Sequence, residues 1–523
     1  MKALDKEILR LALPSILANI TVPLVGLVDT AVAGHLHSAA GSGAEFIGGI
    51  SVGAMILNVI YWNFGFLRAS TGGLTAQAYG RLSPSELRSL RSLRPLPSQA
   101  MGPSRRVGIG APEKRPFFGE ACPGVDTSSG GSLPYAQPEY QSILSRALRL
   151  ALGFAALLIL LQWPLSRIAL IFRDATPGVA ALAIQYVLIR IWAAPATLSL
   201  MALKGWFIGM QDSRSSMLVD LTVNLVNIIA SIILTLGIGA WQGIGFPGIA
   251  LGTVIAQWTG FILALAICRF RYRIHICSEK RPKSGTSTSK NRALFRKTAE
   301  NGNKSFFHLN TDLFVRSLCM TGIYLGYTII AGRYGETMLA SANIMMNLLM
   351  IFSYFTDGFA YAGEALTGRF IGARDKEMLR RSMVGTFRWS FGVAGFWVLI
   401  YIVAGLPMLR LMTDDPAVVE ACRQFLPWLA LMPMVGCAAF TWDGIYIGAT
   451  ASGSIRNSMI WALATFLAVW FAGLLLSPGL FGTQVPGNPA AIHLLLAAYF
   501  AHLAARAIYL TATAASIRVP EEL

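Results

Sequence analysis

The chain has 523 residues, of which 54% are hydrophobic and only 13% charged, and its mean hydropathy is +0.56. That balance excludes an ordinary soluble enzyme and points to a polytopic membrane protein. The formal charge of +17 does not describe a nucleic-acid surface, because Lys and Arg gather in alternate loops, as membrane topology requires.

Segments of about 20 apolar residues, long enough to cross ~30 Å of hydrocarbon as helix, recur along the whole chain. The expected spans are 8–34, 46–68, 146–172, 179–201, 216–238, 246–268, 312–332, 338–368, 384–412, 418–449, 456–476 and 490–516. The sequence thus predicts an all-α polytopic membrane protein with twelve transmembrane helices. The basic loops fall on one side, which places both termini in the cytoplasm of a multi-pass protein of the cell (plasma or inner) membrane.

The first span carries Pro14, Pro23, Gly26 and Gly34, residues that permit bending, and one carboxylate, Asp29. A charge inside a membrane helix costs roughly 2.5–3.5 kcal/mol on insertion scales, so each such residue is a functional candidate. Desolvation disfavours a charged carboxylate and brings proton gain and release within physiological reach. Asp29 is therefore a candidate coupling group; the alternative is a hydrogen bond to a neighbouring helix. Ala31-Val32-Ala33 imitates a signal-peptidase site, but the apolar run is too long for a signal-peptide core and predicts a retained helix.

The second span runs into Leu74-Thr75-Ala76-Gln77-Ala78-Tyr79-Gly80-Arg81. Residues 82–140 are rich in Pro, Ser, Gly and Arg without an apolar period, which predicts a disordered, basic cytoplasmic insertion. In the fourth span, YVLIRIWAAP sets Arg190 before Pro195; its expected partner is a carboxylate or the carbonyls freed near that proline. The fifth span, LTVNLVNIIAS, places Asn224, Asn227 and Ser231 on one helical face, as interhelix glue or as part of a polar cavity.

Residues 271–311 form a basic, polar link. In the eighth span FTDGFAYAGEALTG puts Asp357 and Glu364 on a common face; Glu364 is expected to snorkel toward the cytoplasm or pair with Arg369. Asp443, in FTWDGIYIGA of the tenth span, is a candidate second cation-linked site, and Arg506 is a further intramembrane charge. The aromatic run Tyr61-Trp62-Asn63-Phe64 and Met345, Met346 and Met350 read as packing or interface anchors, or as the lining of a cleft for bulky apolar or cationic ligands.

Three features recur in order. LTAQAYGR ends the second span and LTGRFIGA (366–373) the eighth, Ala33-Gly34 matches Ala331-Gly332, and Gly205-Trp-Phe-Ile-Gly209 matches Gly444-Ile-Tyr-Ile-Gly448. They predict two pseudo-symmetric six-helix lobes related by an axis along the membrane normal. The N-lobe comprises residues 1–81 (helices 1–2) and 141–270 (helices 3–6), and the C-lobe 312–518 (helices 7–12). At Asp29's place in the repeat the C-lobe has Tyr327. The six cysteines show no CxxC pair and no metal-ligand spacing, so neither a disulfide framework nor a metal site is expected. There is no P-loop, dinucleotide fingerprint or HExxH motif and no clustered catalytic groups; an enzyme is not expected, and transport would draw on an ion gradient.

VPLVGLVDTAVAG, YWNFGFLRASTGGLTAQAYG, IRIWAAPATLSLMALKGWFIGMQDSRS and SYFTDGFAYAGEALTGRFIGARD resemble the multidrug and toxic compound extrusion (MATE) family, and within it the branch of DNA-damage-inducible protein F-like (DinF-like) transporters. The likeness spans nearly all of the chain outside 82–140. It implies two six-helix lobes around a V-shaped cleft and export of small organic compounds, often cationic or amphipathic, in exchange for H+ or Na+. The coupling aspartate of that branch matches Asp29, and Tyr186, Asn227 and Thr253 match its Tyr, Asn and Thr. Arg190, Asp357 and Asp443 are candidates for a secondary coupling or substrate role. The family's helix 5 acid is replaced by Ser231, and no Glu lies in helix 7 between Leu313 and Gly332. These departures favour H+, with Na+ as the alternative coupling ion and no other cofactor. The rival within transport is a lipid-linked precursor flippase, which calls for a strongly cationic cavity. Expected partners are small molecules and membrane lipid, not nucleic acid, and a monomer is the expected state.

Overall fold

The structure is a computed structural model that describes residues 2–36, 43–83, 86, 139–172, 177–274, 289–477, 479 and 488–517, without the side chains of residues 2, 44, 172 and 289–304. The expected disordered insertion lies outside the described residues except at its margins. Among the described residues, twelve helices are long and apolar enough to span a membrane: α1 (Ala3–Gly34), α2 (Glu45–Gly80), α3 (Glu139–Leu160), α4 (Pro177–Gly209), α5 (Ser213–Leu236), α6 (Pro247–Arg271), α7 (Ser305–Gly332), α8 (Glu336–Gly372), α9 (Lys376–Met412), α10 (Pro416–Gly448), α11 (Ser452–Leu476) and α12 (Pro489–Ala512). The described residues contain no strand, only an isolated bridge between Ile238 and Trp241. Large apolar side chains such as Phe270, Val403 and Leu475 point outward, the arrangement expected where hydrocarbon is the solvent.

Three boundaries differ from the sequence reading, each for a local reason. α2 breaks at Phe64–Gly65 and resumes from Phe66 to Gly80, so Arg68 belongs to a membrane helix and not to the connection after it. α3 stops at Leu160; a five-residue helix, Gln162–Ser166, and a 3-10 turn, Arg167–Phe172, follow, because Pro164 lacks the N–H that would continue the earlier helix. α4 tightens into a 3-10 turn at Ile191–Ala193, and Pro195 starts its second half, as proline favours the first turn of a helix. Helix also extends back from α7 to Ser289, so part of the polar link is helical.

The repeat is visible in how backbones touch. Cβ atoms added at Gly205 and Gly209 of α4 would meet the carbonyls of Arg68 and Gly72 on α2, and Cβ atoms at Gly444 and Gly448 of α10 would meet those of Ala360 and Glu364 on α8. Each lobe thus uses a Gly-x3-Gly pair to seat one helix against the broken or polar part of another, a close approach that only small residues allow. Both α4 and α10 are followed by a non-glycine residue at positive φ, Gln211 (61°) and Thr450 (55°). Each link reaches the opposite lobe: Gln211 donates to the Ala365 carbonyl at 2.6 Å, and Thr450 accepts from Gln77, as does the Gly448 carbonyl, each at 3.1 Å.

The lobes therefore meet at the end carrying the termini. Gly72, Ala76 and Gly80 of α2 lie against Glu364, Gly368 and the Arg369 carbonyl of α8. α1 crosses onto the C-lobe, where Arg369 donates to Glu7 at 2.5 Å, Arg388 pairs with Asp5, and Gly358 lies under Ala12 and Ile16.

Candidate functional site

Two polar centres lie within the helices. The first is inside the N-lobe, toward the end away from the termini. Asp29 is buried on α1; its carboxylate faces the Ser231 hydroxyl and lies within electrostatic reach of Arg190, and its Oδ1 accepts no hydrogen bond. Arg190 donates to the Tyr186 hydroxyl at 2.8 Å, and Tyr186 in turn lies beside Thr253 and Asp29. Asn227 donates to Thr253 at 2.9 Å, and Asn224 donates to Thr21 of α1 at 2.6 Å. The structure thus brings Asp29, Tyr186, Asn227 and Thr253 together, with Arg190 and Ser231 among them. The polar face of α5 points into the lobe and joins α1 to α6. Arg190 finds a phenol, not the carbonyls of a broken turn.

The part of α1 farther from the termini is sparsely held. Val22, Pro23, Leu24, Gly26 and Leu27 are exposed, and a Cβ at Gly26 would meet nothing. The element bearing Asp29 is therefore free to bend, since a proline leaves one backbone bond unmade nearby.

The second centre is a cavity of about 400 Å³ between the lobes, lined by Trp62, Tyr324, Tyr354, Tyr361 and Phe440 together with charged groups. Arg68 of α2 donates to Glu364 of α8 at 3.0 Å, with the Glu364 side chain wholly buried, and its guanidinium lies 4.4 Å from the Tyr361 ring centre. Asp443 accepts from Arg316 of α7 at 2.5 Å and from Arg506 of α12, Nε at 3.2 Å. Asp357 lines the same cavity with no ion pair among the described residues. Asp357 and Asp443 thus share one site, separate from Asp29.

Two expectations are corrected here. Glu364 neither snorkels nor pairs with Arg369; it is held inside by Arg68, while Arg369 pairs with Glu7. The centre of the protein is also richer in charge than sequence reasoning found. Arg68 stands at the very end of the expected second span, 46–68, and Arg316 near the start of the seventh, so both read as boundary charges. In both cases an arginine flanked by apolar residues on either side, FGFLRAST and DLFVRSLC, was the available signal.

Two lobes of membrane-spanning helices around a charged cavity are the architecture of a transporter. Residues 139–233 and 313–477 match the MatE family. The chain is 33% identical to DNA damage-inducible protein F of Escherichia coli K12 over 463 residues, covering 88% of this chain and 84% of that protein. It is 26% identical to a probable multidrug resistance protein NorM of Photorhabdus laumondii over 342 residues, 64% of this chain and 68% of that protein. Its fold is similar to that of a multidrug resistance MATE family transporter of the MOP superfamily in an outward-facing conformation, with a TM-score of 0.70 and 14% identity, covering 98% of this chain and 97% of that one. The chain belongs to the MatE family of transporters.

Proposed function

We propose that the protein is a secondary active exporter of small organic compounds that exchanges them for protons by rocking its two lobes. The observation that carries this reading is Asp29, a carboxylate sealed among Tyr186, Arg190, Asn227, Ser231 and Thr253 on a helix whose outer part has few contacts. Protonation removes its charge and with it the reason for that packing, so the helix repacks. The differential affinity of proton and substrate for the two arrangements then drives the lobes from one side to the other.

The substrate occupies the inter-lobe cavity, whose size suits a drug-like molecule. Family membership and the name of the NorM relative support efflux of varied organic compounds. A single carboxylate in the network around Asp29, among the described residues, favours H+ over Na+. The charges around the cavity include three carboxylates as well as three guanidiniums, which weighs against a lipid-linked precursor flippase. We place the basic loops and both termini in the cytoplasm of a cell membrane, so that the tightly packed end of the cleft is the cytoplasmic one.

Everted vesicles loaded with a pH-sensitive dye test the reading. Addition of a transported compound should release lumenal protons from the wild type and not from Asp29→Asn, which still inserts and binds the compound. Normal proton exchange by Asp29→Asn would refute the coupling role. Replacing the proton gradient by a Na+ gradient in the same vesicles decides the ion.

A further inference from the structure

The cavity holds two unbalanced charges of opposite sign on different helices. Arg68 is matched one to one by Glu364. Arg316 and Arg506 share a single carboxylate, Asp443, which leaves one positive charge in surplus. Arg316 further keeps a buried Nε–H without an acceptor. The compensating negative charge is Asp357 on α8, which lines the cavity and, among the described residues, forms no ion pair. Arg68, Arg316 and Arg506 are near enough to act on it electrostatically without contacting it. The six groups sum to zero, but the surplus positive end and the surplus negative end are not joined.

A ligand entering this space leaves bulk water, so an unmatched charge on either side is costly. An organic monocation would satisfy Asp357 and add to the surplus of the arginines. A monoanion would do the reverse. A molecule carrying one ammonium and one carboxylate satisfies both ends and leaves the cavity neutral. Tyr354 and Tyr361 flank Asp357 at helical spacing on α8, and Tyr324 faces them from α7 across the same space, offering ring faces to an aromatic body and to a cationic group.

We propose that the cavity selects aromatic zwitterions, with Asp357 receiving the ammonium group and Arg316 the anionic group. The inference rests on the export reading only in taking this cavity as the substrate site, and it narrows the expectation of small organic substrates that are often cationic or amphipathic.

Three fluorescent probes with one body test it: Nε-dansyl-lysine, which is a zwitterion near neutral pH, its methyl ester, which is a cation, and its Nα-acetyl derivative, which is an anion. Binding is measured on the full chain in nanodiscs. The zwitterion should bind at least about tenfold more tightly than either derivative, the effect of one unmatched charge. Asp357→Asn should erase the advantage over the anion and Arg316→Gln the advantage over the cation. The wild-type ratio alone already decides, whatever the folding of the variants. Equal binding of the three, tighter binding of the ester, failure of the zwitterion to bind, or an unchanged ratio in well-folded Asp357→Asn would overturn the proposal. Proton-linked export of the ester without preference for the zwitterion would overturn it while leaving the export reading intact.

Discussion

Arg68 and Glu364 form a 3.0 Å ion pair between the two lobes at the wall of the central cavity, with Glu364 completely buried. Removing one partner of such a pair strands a buried charge, at a cost of roughly 3–5 kcal/mol. Glu364→Ala and Arg68→Ala should each lower the melting temperature of the detergent-solubilised protein markedly. The double variant should be less unstable than the sum of the singles, since it leaves no charge unpaired. Strict additivity in that cycle would mean the two side chains do not act on each other.

Asp443 carries the same logic further, because one carboxylate serves Arg316 and Arg506. Asp443→Asn leaves two guanidiniums facing each other without an anion, whereas Arg506→Gln leaves Asp443 still matched by Arg316. The aspartate variant is expected to be the more destabilised in thermal unfolding followed by tryptophan fluorescence. The opposite order would contradict the shared-carboxylate arrangement.

At the α2 and α8 crossing, Gly72→Ala forces a Cβ onto Glu364 Oε1, while Gly26→Ala on α1 meets nothing. Gly72→Ala should therefore loosen the packed end of the cleft, read as faster labelling of a cysteine introduced at Gln77. Gly26→Ala should leave both labelling and stability within about 0.5–1 kcal/mol of wild type, the range of helix-propensity effects. Equal labelling of the Gly72 variant and the parent would show that the crossing can absorb the methyl group.

Ser231 faces Asp29 where a second acid would complete a two-carboxylate pocket. Hard cations take oxygen ligands, so Ser231→Asp is expected to confer stimulation by Na+ on transport in proteoliposomes, with the wild type insensitive. A wild type already driven by Na+ would reverse the assignment of the ion.

The helices, the lobes and the polar face of α5 were legible because each rests on local signals: apolar length, the Gly-x3-Gly repeat, and polar residues three and four apart; Tyr186 and Thr253 carry no such signal and were reached only through the family resemblance. The central charge cluster was not, because its members come from α2, α7, α8, α10 and α12, and sequence spacing carries no information about which distant charge answers which. Glu364 illustrates this. Its neighbour in sequence, Arg369, was the obvious partner, yet helix direction carries Arg369 out to Glu7 and brings Arg68, nearly three hundred positions away, to Glu364. Asp29 could be identified as a lone acid but not as the neighbour of Arg190, for the same reason.

The pairing of Gly72 with Glu364 also limits how such a molecule can be assembled. In the alignment of LTAQAYG with LTGRFIG these two residues occupy one and the same repeat position, and the carboxylate fits only because the other copy has no side chain there. A pair of identical six-helix halves would offer either two glutamates competing for one space or two glycines around a hole. The central seat of this protein is thus available only to a chain whose halves have diverged, and exchanging one half for a duplicate of the other would preserve the outline of the fold while destroying its middle.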